Sequence, residues 1–254
     1  MLDALTQFFD TYSLRARVMP AFFLSFSAIV TVLAWNESAQ SSGGLVVSLL
    51  LTCGVLSFVA SQLSTFGNSY QKRLFSKLGA APTTIMLRFE DDQLDRLTKA
   101  RYQNFLAEIV NGYTPMTPER EKSDRKSADQ VYNSAVNYLR EHTRDTKKYP
   151  LVFKENVAYG FSRNLRAIKG YGIFISLLVL VLNLLLIWNS YVKPDSEFDL
   201  NFLFAIPAIH LGAVGVSVCM VFVWIFSVRS SWVTVRAFAY ARALLATCES
   251  IEKT

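Results

Sequence analysis

The chain has 254 residues, of which 52% are hydrophobic and 18% charged, and its formal net charge is +6. It is richer in apolar side chains and poorer in charges than an ordinary globular domain, which favours a membrane protein over a soluble one. The three cysteines, Cys53, Cys219 and Cys248, are too widely spaced for a metal motif or a disulfide framework, so they are interpreted as packing residues.

The N-terminal part of the chain predicts a surface helix followed by a hairpin of two membrane spans. Residues 1–17 carry apolar side chains at approximately helical spacing, which predicts a short helix lying in the membrane interface. They lack the ordered pattern of a signal peptide and are not interpreted as one. Two uncharged runs follow, Val18 to Asn36 and Gly44 to Leu63, and they predict a hairpin over 18–69.

The segment 70–170 is predicted to be a helical cytosolic domain. The stretch KLGAAPTT should end the helix that leaves the second span, because Gly and Pro interrupt helices. We expect Asp91 or Asp92 to cap the next helix.

Two further helices are predicted in the second half of this domain. Thr117 should cap a helix with Pro118 at its first position, and this long helix should run to about Thr146. Pro150 should open the last cytosolic helix, which can run directly into the third span.

The strongest membrane signal is the uncharged run from Tyr171 to Tyr191. Its length of about 21 residues, at about 1.5 Å per residue, matches the thickness of the hydrocarbon core of a bilayer. A fourth run extends from Phe202 to Val228 and is interrupted by Pro207. These two runs predict a second hairpin over 171–228, which leaves 229–254 as a cytosolic tail.

The basic residues predict the orientation of the spans. All of the 26 Lys and Arg residues except Lys193 fall in 1–17, 70–170 and 229–254. Because cytoplasmic loops carry the excess of Lys and Arg, both termini should be cytoplasmic. The sequence therefore predicts an all-α membrane protein with four transmembrane helices and a helical cytosolic domain inserted between the second and third spans.

The sequence offers little material for catalysis. It has no evident nucleophile and base pair, Walker loop, dinucleotide fingerprint or zinc spacing, and it has only two histidines. We therefore expect no enzyme activity, no metal site and no cofactor. The predicted spans also lack Asp, Glu, Lys and Arg, which argues against a pump or an ion-coupled carrier.

His210 is the ionisable residue inside the predicted fourth span. Such a group is costly in a bilayer and usually faces a protein interior or water. With Gly212 and Gly215, which permit close helix packing, it forms a candidate pore-lining or gating site. The alternative is a neutral histidine that bonds to a neighbouring helix.

The third span has a polar line of its own. Ser176, Asn183 and Ser190 recur at steps of seven residues, and Asn183 lies at the middle of the run. A line of this kind either faces water in an oligomer or holds a helix bundle together by interhelical hydrogen bonds.

Two groups of basic residues are candidate binding sites. Arg163, Arg166 and Lys169 lie on one side of a helix at the membrane surface, where contact with anionic lipids is the simplest interpretation. A second group lies near two aromatic rings and suits a phosphate-bearing ligand. Its members are Arg88, Arg96, Lys99 and Arg101, with Phe89 and Tyr102. Neighbouring aspartates leave a salt-bridged surface helix as the alternative.

Two stretches beside the predicted spans resemble a known family. They are KLGAAPTTIMLRFEDDQLDRLTKARYQ (77–103) and KENVAYGFSRNLRAIKGYG (154–172). They resemble bacterial four-span proteins of anti-phage defence, including the transmembrane effectors of Hailong-type systems. The resemblance implies a channel or depolarising effector that a partner nucleotidyltransferase controls through a nucleotide product. It assigns no individual binding residue.

The predicted function is a regulated, oligomeric ion channel or permeabilising pore. Its pore-lining candidates are Ser176, Asn183, Ser190, His210, Gly212 and Gly215. Its candidates for binding an oligonucleotide or a cyclic nucleotide are Arg88, Lys99, Arg101, Arg163 and Arg166. The expected partners are membrane lipids, further copies of the chain and this nucleotide signal. The alternatives are a non-conducting membrane scaffold and a small-molecule carrier.

Overall fold

A computed structural model of the chain describes residues 11–37, 42–114, 116–192 and 202–251, apart from the side chains of 42, 45–52, 202 and 203. The described residues form an all-helical structure, with 84% of them in helices. Over these described ranges it contains no strand. The predicted all-α class is therefore confirmed.

The helices are numbered here in chain order. Those of the first half are α1 (Thr11–Trp35), α2 (Ser42–Leu78), α3 (Pro82–Leu87), α4 (Arg96–Ile109), α5 (Pro118–Ser123) and α6 (Arg125–His142). Those of the second half are α7 (Pro150–Ala167), α8 (Lys169–Tyr191), α9 (Phe202–Ala205), α10 (Ala208–Ser227) and α11 (Ser230–Leu245). Single π turns lie inside α1 and α10, at Leu14–Val18 and Val223–Ser227.

The chain divides into two compact units. Unit 1 consists of Met1–Ser69 and Phe161–Ser230, and unit 2 consists of Tyr70–Gly160 and Ser231–Thr254. Each unit is therefore built from two separate stretches of the chain.

Unit 1 contains three helices that are long and apolar enough to cross a membrane, namely α1, α8 and α10. They pack on one another, and α8 approaches α10 closely at Gly172, where a Cβ would overlap the ring of Trp224. Many large apolar side chains of α8 point away from this bundle, among them Phe174 and Leu185, which are 64% and 60% exposed. An exposed apolar surface of this kind is typical of helices that face lipid.

Three of the four predicted spans thus fall in helices that are long and apolar enough to cross a membrane. The predicted second span falls in α2, and most of its side chains before Cys53 lie outside the described residues, so this second span stays a prediction. The predicted boundary between a surface helix and the first span is not observed, because α1 runs through residues 11–35 as one helix. The earlier part of the predicted surface helix, 1–10, lies outside the described residues.

Unit 2 is a helical domain with its own apolar core. Residues from α3, α4, α6 and α11 meet there, and Leu106, Tyr132, Leu139 and Leu244 are each completely buried. The C-terminal segment contributes through α11 and Cys248, so it folds as part of this unit.

Two local predictions in unit 2 are wrong. The N-cap of α4 is Asp95, whose side chain accepts the Thr98 N–H at 2.9 Å, and neither Asp91 nor Asp92 has this role. The predicted long helix after Thr117 is interrupted, because Asp124 ends α5 and caps α6 by accepting the Ser127 N–H. Aspartate favours N-cap positions over helix interiors, so Asp124 starts a new helix as readily as it continues the previous one.

Three other helix boundaries are confirmed. Thr117 caps α5 with Pro118 at its first position, and Pro150 opens α7. Helix α2 ends at Leu78, where Gly79 takes a φ of +87° that favours glycine.

Candidate functional site

A polar cluster centred on Asn183 lies inside unit 1. The Asn183 side chain is fully buried, and its Nδ2 donates to Thr31 Oγ1 at 2.8 Å and to Val179 O at 2.9 Å. Its Oδ1 accepts the indole N–H of Trp35 at 2.9 Å. Ser217 Oγ lies 3.4 Å from Nδ2. One side chain of α8 is therefore bonded to α1 and lies against α10.

His210 continues this cluster toward the end of α8. Its ring stacks on the Trp35 indole, with the centroids 3.8 Å apart and the planes 5° from parallel. Its Nε2 lies 3.2 Å from Ala34 O, and Tyr191 Oη lies 3.0 Å from Nδ1. Because a carbonyl oxygen can only accept, Nε2 carries the hydrogen, and in the neutral ring Nδ1 then accepts the Tyr191 O–H. A neutral imidazole thus satisfies both bonds.

Asn183 and His210 are connected through Trp35, which donates a hydrogen bond to Asn183 and stacks on His210. The remaining hydroxyls bond back to their own helices, Thr31 to Ser27 O and Ser217 to Ala213 O. Since buried polar groups are costly when unpaired, this mutual pairing stabilises the contact between the three helices.

Three other polar atoms in the same bundle have no hydrogen-bond partner among the described residues: Ser27 Oγ, Ser176 Oγ and Trp224 Nε1. Ser176 is completely buried and lies two turns before Asn183 on α8. The bonded cluster is therefore confined to one half of the bundle.

The other predicted pore-lining residues do not join this cluster. Ser190 is exposed on α8, and so are Gly212 and Gly215 on α10. A Cβ built on either glycine would have no atom within 4 Å. The six candidates thus separate into a buried or half-buried set around Asn183 and a set on the outer surface of the bundle.

Unit 2 has a cleft of about 430 Å³ between the start of α4 and α5. It is lined by Phe89, Glu90, Arg96, Lys99, Ala100, Gln103, Pro118, Glu121 and Lys122. Arg96 and Lys122 are exposed at this cleft, whereas Lys99 is only 4% exposed. The cleft therefore combines three cations and two carboxylates, Glu90 and Glu121, with the exposed ring of Phe89.

The wall of the cleft is held by two buried charged groups. Lys99 Nζ donates to Arg88 O and Asp91 O, each at 2.5 Å, and desolvation lowers the pKa of Lys99. Glu121 accepts the Phe89 N–H at 3.1 Å and the Tyr132 O–H at 2.6 Å. The segment after α3 is thus fixed from both sides, by α4 and by α5.

Arg88 and Arg101, the other unit 2 candidates, are ion-paired outside the cleft. Arg88 is buried and makes a bidentate pair with Asp129, at 2.9 and 2.7 Å. Arg101 is exposed and pairs with Glu249 at 3.0 Å. Of the predicted ligand-binding residues, only Lys99 lines this cleft.

The remaining candidates, Arg163 and Arg166, lie in unit 1 near the start of α8. Arg166 Nε donates to Ser230 Oγ at 3.2 Å. The structure therefore places the five predicted ligand-binding residues in two separate compact units.

Several residues of both sites were not predicted from the sequence. They are Thr31, Trp35 and Ser217 in unit 1, and Lys122 and Glu121 as cleft residues in unit 2. In unit 1 the sequence spacing could have indicated these residues. Thr31 and Trp35 are four residues apart, and His210 and Ser217 are seven apart, so each pair lies on one face of its helix. No such spacing marks the cleft, whose residues come from three segments.

The described part of the chain has no group of three or more His, Cys, Asp or Glu residues that could hold a metal ion. Comparisons with protein-family models, with curated proteins and with solved structures give no match to this chain. Function must therefore be inferred from the two sites themselves.

Proposed function

We propose that this chain is a regulated membrane effector of the bacterial inner membrane, whose homo-oligomer conducts ions or permeabilises the membrane. It has four spans, with a helical cytosolic domain inserted between the second and third spans and both termini in the cytoplasm. Three helices long and apolar enough to cross a membrane support the membrane part of this proposal. The distribution of Lys and Arg supports the orientation.

The proposal of an oligomeric pore rests on the distribution of polar and small residues in unit 1. The bundle interior at Asn183 is filled by side chains that bond to one another, so a pathway through one chain would have to break those bonds. Small and polar residues on the outer surface, Gly212, Gly215 and Ser190, suit a pathway between copies of the chain.

The signal is proposed to be an anionic, nucleotide-type ligand that binds in the unit 2 cleft. Arg96, Lys99 and Lys122 supply positive charge there, and the exposed Phe89 ring can stack on a base. The resemblance of 77–103 and 154–172 to anti-phage effectors adds the expectation that a partner nucleotidyltransferase makes this ligand. No catalytic step by the chain itself is required.

Flux from liposomes tests the conduction proposal. Purified protein should release a trapped ion or dye, and the rate should change when an oligonucleotide or a cyclic dinucleotide is added. Gly212→Leu and Gly215→Leu should each reduce the flux or change the oligomer size, because both positions are open on the bundle surface. Ala205→Leu, which adds three carbon atoms instead of four at an exposed position of α9, is the control and should leave the flux unchanged.

Binding in solution tests the sensing proposal separately. Arg96→Gln and Lys122→Gln should weaken nucleotide binding and reduce its salt dependence, because each removes a cation that lines the cleft. Arg101→Gln removes the same charge from the ion pair with Glu249 and should have little effect. If Arg101→Gln is the variant that abolishes binding, the ligand lies outside this cleft. Absence of binding by any nucleotide would remove the sensing proposal.

Fusions of a topology reporter test the four-span arrangement. Reporters after Ser41 and Asp195 should be outside, and reporters after Gln103 and Thr254 should be inside. An external signal after Gln103 would contradict the arrangement.

A non-conducting membrane scaffold is the second candidate. The bonded state of Asn183 and His210 favours it, since both residues already have partners that hold α1, α8 and α10 together. Wild-type protein that oligomerises and yet gives no flux with or without nucleotide would make the scaffold the better conclusion.

A further inference from the structure

One end of the unit 1 bundle carries a concentration of positive charge. The starts of α1 and α8 lie at this end together, because Asn164 Nδ2, just before α8, donates to Ala16 O at 2.6 Å. The end of α10 lies there as well, because Lys169 Nζ donates to Ile225 O and Val228 O, at 2.8 and 3.1 Å.

The basic residues of unit 1 within the described ranges all lie at this end, and they are Arg15, Arg17, Arg163, Arg166, Lys169 and Arg229. The only carboxylate in the same described ranges of unit 1 is Glu37, which follows the opposite end of α1. Within the described ranges of unit 1, this end therefore holds six basic residues and no acidic one.

Three of these cations converge on one short segment, Ile225–Ser230. Besides the two bonds from Lys169, Arg229 Nε donates to Phe226 O at 2.7 Å, and Arg166 Nε donates to Ser230 Oγ at 3.2 Å. The charged groups that act on Lys169 are Arg166 and Arg229, both of its own sign. Like charges held this close repel one another, and an anion between them removes that repulsion.

The hydrogen-bonding capacity of Arg229 is only partly used by its described bond. The guanidinium of Arg229 is exposed, and its described hydrogen bond uses Nε, which leaves both terminal nitrogens to donate outward. A planar guanidinium is suited to bidentate recognition of a phosphate, and a nearby ammonium adds a point charge.

An apolar surface begins directly beside these cations. Phe226 and Ile225 are 54% and 41% exposed, and Phe222 stacks on Phe226 with the ring centroids 5.7 Å apart. Exposed aromatic and aliphatic side chains on a membrane helix suit acyl chains. A ligand that carries a phosphate at one end and hydrocarbon at the other matches both parts.

We propose that Arg166, Lys169 and Arg229 form a binding site for the phosphate group of an anionic phospholipid, with the acyl chains along Phe222, Ile225 and Phe226. The three cations lie at the end of α7, at the start of α8 and just after the end of α10. A phosphate bound by all three fixes the positions of these helix ends relative to one another. The site does not depend on ion conduction, so failure of the flux experiment leaves it standing, and failure of lipid binding leaves the conduction proposal standing.

Native mass spectrometry of the full-length protein in detergent tests this site. The protein is mixed with phosphatidylglycerol or with phosphatidylcholine at equal concentration, and the retained lipids are counted. Phosphatidylglycerol should be retained in preference. Arg229→Gln and Arg166→Gln should each lower its apparent affinity about fivefold, the effect of about 1 kcal/mol per cation near a membrane surface.

Arg15→Gln is the matched control, because it removes a cation from the same end of the bundle outside the cluster, and it should change retention little. Arg229→Lys should restore part of the affinity. Arg166→Gln leaves the carbonyl bonds of Lys169 and Arg229 intact, so it remains informative if Arg229→Gln fails to fold.

Three results would overturn the lipid site. One is equal retention of the two lipids, and another is unchanged retention in both Gln variants. The third is displacement of phosphatidylglycerol by millimolar inorganic phosphate or by a soluble dinucleotide, which would assign the same cations to a soluble phosphate ligand.

Discussion

Replacing Asn183 by leucine removes the centre of the polar cluster in unit 1. The substitution deletes the donor to Thr31 Oγ1 and the acceptor for the Trp35 indole N–H, bonds of 2.8 and 2.9 Å between α8 and α1. Trp35 and Thr31 are left without these partners in an apolar surrounding. We therefore expect a loss of stability even though leucine is the more apolar residue.

The expected magnitude follows from the number of interhelical bonds. Such bonds contribute about 0.6 kcal/mol each on average and up to about 1.7 kcal/mol in membrane proteins. Two of them give a loss of about 1 to 3 kcal/mol for Asn183→Leu. The contact with Ser217, at 3.4 Å, is too long to add much.

A double-mutant cycle separates the hydrogen bond from the change in side-chain volume. Unfolding of the purified protein in mixed micelles is followed for Asn183→Leu, Thr31→Val and the double variant. The coupling should be about 0.6 to 1.7 kcal/mol. The matched control is Asn189→Leu, the same substitution at an exposed position of α8, and its effect should be within about 0.5 kcal/mol and additive with Thr31→Val.

The proposed role of Asn183 is refuted if its coupling to Thr31 is within about 0.3 kcal/mol of zero, the range of independent sites. It is also refuted if Asn183→Leu is as stable as Asn189→Leu.

Three further predictions concern buried atoms. Ser176→Ala should leave stability unchanged or raise it in the same unfolding assay, because the Ser176 hydroxyl is buried without a described partner, and a clear loss would contradict this. Gly172→Ala should destabilise the protein by about 1 to 3 kcal/mol, because its Cβ would overlap the Trp224 ring. Gly170→Ala is the control and should not destabilise it, because a Cβ there would have no atom within 4 Å. Burial raises the pKa of the Cys248 thiol from 9.0 to about 12, so iodoacetamide at pH 8 should label it about a thousandfold more slowly than an ordinary thiol in a variant without the other cysteines. Mass spectrometry measures this labelling, and rapid modification of folded protein would show that Cys248 is accessible.

The sequence alone determined the helical class and several of the helix boundaries. Uncharged runs such as Tyr171 to Tyr191 identify helices that can cross a bilayer, because hydrophobicity and length are properties of a continuous segment. Thr117 and Pro150 mark helix starts for an equally local reason, since a cap or a fixed φ acts within one turn. The wrong assignment of the α4 cap to Asp91 or Asp92 shows the limit of this approach where several aspartates compete.

The tertiary structure decided which side chains meet. Asn183 stands out in the sequence as a polar residue at the middle of an apolar run, but its partner Thr31 is 152 residues away. Likewise, Arg88 and Lys99 have the charge of a binding site, and only folding pairs Arg88 with Asp129 and buries Lys99 against backbone carbonyls. Local spacing defines the face of a helix, whereas the partner of that face depends on how distant helices pack, and no pattern within a single helix contains that information.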